Sequence, residues 1–215
     1  MMDPRICPGC GDRAGVPLVE DSTRICDRCG HRWPFLRLPL FALTGPSGAG
    51  KSTVGPLLPG RLAGQVVVLE QDVLWTAGLR DDVDGHPAFR SAWLRMAAML
   101  HQNGRPVVLC GTVVPPEFEP LPECALFAGI HYLALVADPG VLAGRLRARP
   151  AWRQWDASRI AETLEFNDWL REHAAAMDVR LFDTTDTSLE QTADYVADWV
   201  SAQLCSLSGA SSHSH

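Results

Sequence analysis

From residue 36 onward, short apolar runs alternate with amphipathic stretches, which is the pattern of a parallel sheet covered by helices. Most of the runs lack strict alternation of apolar and polar residues, as expected for strands that are buried on both faces. We therefore predict an α/β fold whose parallel sheet has about five strands flanked by helices. The predicted strands are residues 38–43, 65–69, 106–110, 131–136 and 179–182.

Amphipathic stretches predict helices at residues 88–102, 158–177 and 188–204, the last with Ser188 as its N-cap. The helix that follows residue 53 contains Pro56 and Pro59, and proline removes a backbone donor and clashes with the preceding turn. We expect that helix to kink or end near Pro59 and Gly60. Residues 206–215 are polar and predict a disordered tail, so the predicted units are residues 1–34, 35–205 and 206–215.

The first of these units contains two CxxC pairs separated by fifteen residues, a spacing typical of a zinc ribbon with four cysteine ligands. Short strands at 16–19 and 23–25 would join the two metal-binding turns, and the metal would supply most of the folding free energy of so small a segment. Two disulfides are the alternative, which ranks lower because a cytoplasmic chain keeps its thiols reduced. The predicted zinc ligands are Cys7, Cys10, Cys26 and Cys29.

The ribbon is locally basic, and a module of this kind can bind nucleic acid, bind protein or brace a neighbouring domain. We favour bracing with solvated arginines, because the net charge of −6 argues against general affinity for nucleic acid. No apolar run is long enough to cross a bilayer and the N-terminus lacks the features of a signal peptide, so a cytoplasmic location is expected. The basic residues of the ribbon are Arg5, Arg13, Arg24, Arg28 and Arg32.

The most specific motif is GPSGAGKST at residues 45–53, which follows the first predicted strand of the sheet. A glycine-rich turn between a strand and a helix aims several backbone N–H groups at one point, so the loop predicts binding of a polyphosphate such as that of ATP. Lys51, the only lysine of the chain, would reach the outer phosphates, and the Ser52 hydroxyl would bind Mg²⁺. The predicted nucleotide-binding residues of the loop are Gly45, Ser47, Gly48, Ala49, Gly50, Lys51, Ser52 and Thr53.

The second predicted strand runs into Asp72, and ligands of open parallel sheets sit beyond the carboxyl ends of the strands. We interpret Asp72 as the base that accepts the proton of an attacking hydroxyl, in preference to a helix N-cap and in preference to Glu70 as the base. The Asp72 carboxylate could also hold Mg²⁺ through water. The third strand is not followed by the Walker B acidic residue that many ATPases have. Its absence disfavours a large mechanical ATPase and favours a small kinase. Further candidate substrate contacts, for which a solvated loop or a plain turn is the alternative, are Trp75, Arg80, Gly111 and Thr112.

Residues 145–153 predict a cationic cover for the transferred phosphoryl group. Arg145 and Arg149 are four residues apart on a predicted helix and share one face. Together with Arg153, which is predicted to contact the nucleotide, they would neutralise the negative charge that builds in the transition state. Surface arginines favoured by the dipole at a helix C-terminus are an alternative of about equal weight.

Together these motifs resemble the small P-loop kinases, which include gluconate, shikimate and uridine kinases and the chloramphenicol phosphotransferases. The resemblance implies transfer of a phosphoryl group from ATP and Mg²⁺ to a hydroxyl of a small molecule, with Asp72 as base and residues 145–153 as lid. The ribbon, the prolines after the loop, Trp152 and Trp155 depart from the family pattern and leave the acceptor unassigned. The matching segments are GPSGAGKST at 45–53, LEQD ending at residue 72, VVLCG at 107–111, RLRARP at 145–150 and LFDTTDTS at 181–188.

Two other functions stay open from the sequence. A nucleoside or nucleotide kinase would also fit Asp72 and the aromatic residues beside it. A nucleotide-switched binding module, in which the ribbon contacts nucleic acid or protein, belongs to a different class, and the acidic net charge weighs against it. The oligomeric state is open.

Overall fold

The computed structural model of the chain describes residues 3–13, 15–76, 78–79, 83 and 85–210. Its N-terminal part contains a small antiparallel sheet of three strands. The sequence predicted the first two strands, whereas the third forms only because residues 32–34 find pairing partners across the hairpin, with Trp33 opposite Arg24. The strands are β1 (Leu18–Glu20), β2 (Thr23–Ile25) and β3 (Arg32–Pro34).

The main sheet confirms the α/β prediction. Its five parallel strands are β4 (Leu40–Thr44), β5 (Val67–Glu70), β6 (Val107–Cys110), β7 (Ile130–Val136) and β8 (Val179–Asp183). They lie side by side in the order β5, β6, β4, β7, β8. The central strand β4 therefore delivers the phosphate loop to the middle of the sheet, and β6 and then β5 lie on one side of it.

Helices cover both faces of this sheet. They are α1 (Lys51–Val54), α2 (Leu58–Arg61), α3 (Asp72–Thr76), α4 (Pro87–His101), α5 (Pro115–Phe118), α6 (Pro139–Arg147), α7 (Ala157–His173) and α8 (Leu189–Ala210). Short 3₁₀ turns occupy Gly55–Leu57, Pro122–Leu126, Ala151–Arg153 and Ala174–Met177.

One predicted helix end agrees with the structure and two differ from it. The helix after the phosphate loop is interrupted by the turn Gly55–Leu57 and ends at Arg61, as the two prolines lead one to expect. The helix predicted over 158–177 changes to a 3₁₀ turn after His173. Ser188 caps α8, since its hydroxyl accepts from the Gln191 N–H at 3.1 Å, but α8 continues to Ala210, so the first five residues of the segment predicted as a tail are helical.

Alternate residues of the strands pack into two apolar cores, one on each face of the main sheet. Leu40 and Ala42 of β4 face a core that includes α4 and α7. Phe41 and Leu43 face a core that includes α1, α2 and α8. Burial on both faces explains the continuous apolar runs of the strands.

The N-terminal ribbon is attached to α4 of the main domain. The Asp3 carboxylate accepts a hydrogen bond from Arg95 Nη1 at 2.9 Å. Just after the ribbon, both the N–H and the C=O of Leu36 pair with the side-chain amide of Gln102, the C-cap of α4, each at 2.9 Å. These contacts support the interpretation of the ribbon as a unit packed against its neighbour.

Arg24 corrects the prediction that the arginines of the ribbon are solvated. Its side chain is completely buried, and its guanidinium lies 5.2 Å from the ring centre of Trp33 and 5.7 Å from that of Phe35. It also donates to the carbonyl of Pro4. Arg24 is therefore part of the packing of the ribbon, because a guanidinium can be buried when aromatic faces and a carbonyl receive it.

Candidate active site

The phosphate loop lies between β4 and α1 in a backbone conformation that glycine permits. Gly45, Gly48 and Gly50 all have positive φ, of 131°, 88° and 105°. At Gly45 a Cβ atom would lie 2.2 Å from the carbonyl oxygen of Leu135, so no other residue fits there. The N–H groups of Thr53 and Val54 donate to the Gly50 carbonyl, whereas those of Lys51 and Ser52, the first two of α1, have no partner within the helix and are left to meet an anion.

Lys51 begins α1, and its side chain folds back over the loop. Its Nζ donates to the carbonyl oxygens of Gly45 at 2.6 Å and Pro46 at 2.9 Å. The side chain is buried, and this burial lowers the pKa of Lys51 to about 8. A phosphate oxygen at the loop would offer this ammonium a stronger, charged acceptor than the two carbonyls.

Most of the residues predicted for the nucleotide phosphates and for the reaction share one cavity of about 100 Å³, which we call the phosphate cavity; Gly45, Ala49 and Arg145 do not line it. Its lining brings the loop together with the residues at the carboxyl ends of β5 and β6, as the sheet order requires. The lining residues are Ser47, Gly48, Gly50, Lys51, Ser52, Thr53, Glu70, Asp72, Gly111, Thr112, Arg149 and Arg153.

Glu70, which the sequence analysis ranked below Asp72, contacts a residue of the phosphate loop. Ser52 Oγ donates to Glu70 Oε1 at 3.1 Å, so a carboxylate lies beside the hydroxyl that is predicted to bind Mg²⁺. Burial is the main influence on Glu70 and raises the pKa of its carboxyl, and the nearby charge of Asp72 acts in the same direction. Oxygen donors of this kind suit a hard divalent cation. The signal in the sequence was the position of Glu70 at the end of the strand that follows the loop.

Asp72 is the first residue of α3 and lies inside the first turn of that helix, not in the N-cap position. Its side chain is exposed and lines the phosphate cavity together with Lys51. The geometry therefore leaves the carboxylate available to a substrate.

Gly111 and Thr112 line the same cavity at the end of β6. Gly111 is packed against the side chain of Gln71, whose Oε1 would be 1.8 Å from a Cβ at residue 111. Trp75, in contrast, does not line the phosphate cavity. Its ring packs edge-on against His86 and Phe89, with ring centres 4.6 and 5.2 Å apart, so its contact with a substrate stays a prediction. Arg80 lies outside the described residues.

The three arginines predicted to cover the phosphoryl group, in residues 145–153, line different cavities. Arg149 and Arg153 line the phosphate cavity, and burial lowers the pKa of Arg149. Arg145 does not line it: its guanidinium donates to Thr184 Oγ1 at 3.0 Å and to Thr184 O at 2.7 Å. The prediction that Arg145 and Arg149 point the same way therefore holds only in part.

Arg145 and Arg149 meet at a second cavity of about 340 Å³ beside the loop, which we call the side cavity. Thr184, at the end of β8, ties Arg145 to this place through the two bonds just described. The cavity lies next to the loop and is bordered by the two arginines and by neutral polar and apolar residues, a mixture that suits the nucleoside part of a nucleotide. The lining residues are Gly48, Ala49, Gly50, Thr53, Val54, Arg145, Arg149, Thr184, Thr187, Leu189 and Thr192.

The four cysteines of the ribbon form a compact cluster. Their Sγ atoms all lie within 4.8 Å of one another, and the Cys7–Cys29 and Cys10–Cys26 pairs are each 3.8 Å apart. These distances are too long for disulfides, in which the sulfurs are about 2.05 Å apart. Four thiolates about 2.3 Å from a central Zn²⁺ would have sulfurs about 3.8 Å apart in a tetrahedron. The donor set and its spacing are therefore compatible with a structural zinc site.

Several basic residues of the ribbon have acidic partners. Arg5 pairs with Asp3 at 3.1 Å, and Arg32 pairs with Glu20 at 3.0 Å. Arg28 lies 3.7 Å from Asp12. This pairing reduces the positive potential that a nucleic acid would need.

Comparison with known proteins finds one similar sequence over part of the chain and similar folds over most of it. A stretch of 76 residues, 34% of the chain, is 42% identical to the shikimate kinase of Chlorobaculum tepidum, but the match spans only 40% of that protein. No protein-family profile matches the chain.

Two solved structures have a similar fold over most of the chain. An unliganded sugar kinase from Janibacter sp. HTCC2649 has a TM-score of 0.55 at 15% identity, over 77% of this chain and 95% of that one. The shikimate kinase of Acinetobacter baumannii in complex with shikimate has a TM-score of 0.50 at 15% identity, over 77% and 94%. The chain thus has the fold of the small P-loop kinases. Within the described part of the chain, no helix is long and apolar enough to cross a membrane.

Proposed function

We propose that this protein is an ATP-dependent kinase that transfers the γ-phosphoryl group to a hydroxyl of a small molecule. The observation that supports it most is the phosphate cavity, which collects the loop, Lys51, two carboxylates and two arginines around one space. Phosphoryl transfer needs mainly such positioning and charge stabilisation, with little covalent chemistry from the protein.

The donor half would be formed by the loop and its neighbours. The loop amides and Lys51 would hold the β- and γ-phosphates, and the side cavity with Arg145 and Thr184 would receive the nucleoside. Ser52 and Glu70 would hold Mg²⁺, which supplies charge neutralisation at the phosphates when bound. Arg149 and Arg153 would stabilise the negative charge that develops on the transferred group.

The acceptor half would use Asp72 to orient the attacking hydroxyl and to take its proton. Asp72 is exposed and shares the phosphate cavity with Lys51, so an acceptor hydroxyl bound to Asp72 would face the γ-phosphate. Gly111 and Thr112 would border the acceptor on the side of β6.

The ribbon would carry a structural Zn²⁺ on Cys7, Cys10, Cys26 and Cys29. The metal would stabilise a unit whose strands have three residues each and whose core is too small to fold alone. Through Asp3, and through Leu36 directly after the ribbon, this unit would brace α4.

The test is the formation of ADP and of a phosphorylated product from ATP, Mg²⁺ and a panel of sugars, polyols, nucleosides and hydroxylated antibiotics. Asp72→Asn should lower kcat by about 10²- to 10⁴-fold, as for loss of a general base, while the Kd for ATP stays within about twofold. Asp198→Asn, an exposed aspartate on α8, is the matched control and should leave both unchanged. Wild-type turnover by Asp72→Asn would remove Asp72 from the mechanism, and ATP binding without any acceptor turnover would contradict a kinase.

A further inference from the structure

Two tryptophans that depart from the family pattern lie against the two arginines of the phosphate cavity. The Arg149 guanidinium lies 5.3 Å from the ring centre of Trp155, and the Arg153 guanidinium lies 4.9 Å from that of Trp152. A cation within about 6 Å of the centre of an indole ring is attracted by the face of the ring. Each arginine that lines the phosphate cavity therefore has an indole as a partner.

An indole holds a cation without neutralising its charge, whereas a carboxylate neutralises it. Within the described part of the chain, neither Arg149 nor Arg153 forms an ion pair with a carboxylate. Both guanidinium groups therefore keep a positive charge that the oxygens of a phosphoryl group can meet. Other arginines of the main domain do pair with carboxylates: Arg61 with Glu190 and Asp194, Arg90 with Glu117, and Arg171 with Asp183.

The two cavity arginines need support because they repel each other. Burial lowers the pKa of Arg149, and the positive charge of Arg153 acts in the same direction, whereas the charge of Asp72 raises it. An arginine side chain also has many rotamers, and fixing one of them costs conformational entropy. An indole beside the guanidinium favours one position and so opposes both effects.

The turn between the two tryptophans is anchored to α7. Arg159 Nη1 donates to the carbonyls of Arg153 at 3.0 Å and Gln154 at 2.9 Å, and the Arg159 guanidinium lies 4.6 Å from the ring centre of Trp155. Trp155 also packs against apolar residues of α6 and α7. Trp152, in contrast, is 74% exposed. Packing of the fold therefore accounts for Trp155 in part, but it does not account for Trp152.

We propose that Trp152 and Trp155 are positioning residues, which hold Arg153 and Arg149 at the phosphate cavity with their charge free for the transferred phosphoryl group. The inference rests on the proposed kinase function and adds two residues to which that function gave no role. A group that acts on the charge of the transition state changes the rate of the chemical step more than it changes the binding of ATP.

Trp152 gives the cleaner test, because an exposed side chain can be replaced with little effect on stability. Trp152→Leu should lower the single-turnover rate of phosphoryl transfer by about 2- to 5-fold, as for an exposed cation–π contact, while the Kd for ATP stays within about twofold. Its Tm should stay within about 2 °C of the wild type. Trp152→Phe keeps an aromatic face and should recover most of the rate.

Trp155→Leu extends the test to the partly buried pair. A partly desolvated cation–π contact is stronger, so the transfer rate should fall by about 5- to 30-fold. Because Trp155 also packs in the fold, Tm is measured alongside, and Trp155→Phe should recover most of the rate.

Double variants show whether each tryptophan acts through its arginine. In an Arg153→Gln background, Trp152→Leu should not lower the transfer rate further, because the cation that the indole holds is gone. The same should hold for Trp155→Leu in an Arg149→Gln background. A merely structural role would lower the rate by the same factor in both backgrounds.

Tyr195→Leu is the matched control. It removes a cation–π contact with Arg180, whose guanidinium lies 5.2 Å from the ring centre, at a place that does not line the phosphate cavity. This variant should leave the transfer rate unchanged. A wild-type rate in Trp152→Leu or Trp155→Leu, or the same loss in the arginine-free backgrounds, overturns the proposal. ATP binding without transfer to any acceptor contradicts the kinase function itself, and the inference with it.

Discussion

The packing of Gln71 against Gly111 allows a sharp test of how tightly the site is built. A Cβ at residue 111 would lie 1.8 Å from Gln71 Oε1 and 2.8 Å from both Cβ and Cδ of the same side chain. Carbon atoms that are not bonded normally stay about 3.5–4.0 Å apart. A rotation of the Gln71 amide would relieve the contact with Oε1 but not the one with Cβ, so Gly111→Ala must move the backbone.

That movement is opposed by the sheet. The Gln71 N–H donates to the Cys110 carbonyl at 2.8 Å, and the Gly111 N–H donates to the Leu43 carbonyl at 3.1 Å. Overpacking of a buried site costs about 1–3 kcal/mol, and for a chain of this length each kcal/mol lowers Tm by about 2–4 °C. Gly111→Ala should therefore lower Tm by about 2–12 °C. Because Gln71 is followed directly by Asp72, we also expect kcat to fall by about tenfold or more, since misplacement by about 1 Å can cost up to about 100-fold.

Gly144→Ala is the matched control. Gly144 lies in α6, and no atom comes within 4 Å of the position of its missing Cβ. Alanine in a helix interior should stabilise the fold by about 0.5–1 kcal/mol relative to glycine. Thermal unfolding, urea unfolding and steady-state kinetics on both variants measure the difference. If Gly111→Ala is as stable and as active as Gly144→Ala, the site is more plastic than the contacts indicate and the reasoning fails.

Four further predictions follow from other parts of the structure. Lys51→Met removes the charge-assisted hydrogen bond that the Lys51 ammonium would make to a phosphate of ATP, which is worth about 1.5–3 kcal/mol. The affinity for ATP, measured by calorimetry, should therefore fall by about 10- to 100-fold, and an unchanged Kd would contradict this. Burial lowers the pKa of His101 to about 4, below its value of about 6.5 in an unfolded chain, so the unfolded state binds a proton more readily than the folded state. The contribution of neutral His101 to the free energy of unfolding is therefore complete above about pH 6.5 and falls by about 3 kcal/mol toward pH 4. Urea unfolding between about pH 7 and about pH 4.5 should show this loss, and His101→Gln should reduce it. Asn167→Leu would leave the N–H and C=O of Ala137 without the partners that they have at 3.2 and 3.0 Å, so the free energy of unfolding in urea should fall by about 2–5 kcal/mol; a loss of under about 1 kcal/mol would contradict this. Chelation of zinc should abolish hydrogen-exchange protection in β1–β3 while β4–β8 stay protected, and retention of ribbon protection after the metal is shown to be removed would refute a structural zinc.

The sequence alone predicted the motifs that depend on residues close together along the chain. The phosphate loop, the CxxC pairs and the buried parallel strands each result from residue types at fixed spacing, which act over a few residues. Accordingly the predicted strands overlap those of the main sheet, and the four cysteines meet in space. Even Ser188 was identified as a cap, because capping involves only the next turn of helix.

The sequence did not predict the contacts between segments that are far apart along the chain. The spacing of Arg145 and Arg149 predicted a common direction, yet Arg145 turns to Thr184, which is 39 residues away along the chain. The ring of Trp75 packs against His86 and Phe89 on the following segment, a contact that the sequence did not predict, and its contact with a substrate stays a prediction. In both cases a partner from another element decides where the side chain points.

The phosphate loop that identifies the donor half is thus a property of the sequence, because glycines at positive φ and a following lysine create an anion site from adjacent residues. The contacts of the carboxylates belong to the tertiary structure. Glu70 reaches Ser52 and Glu117 reaches Arg90 only after the strands have been ordered, and these contacts decide which charges are free. The physical reason is that a charge acts through its neighbours in space, and burial beside an opposite charge cancels what the sequence alone would count as a binding group.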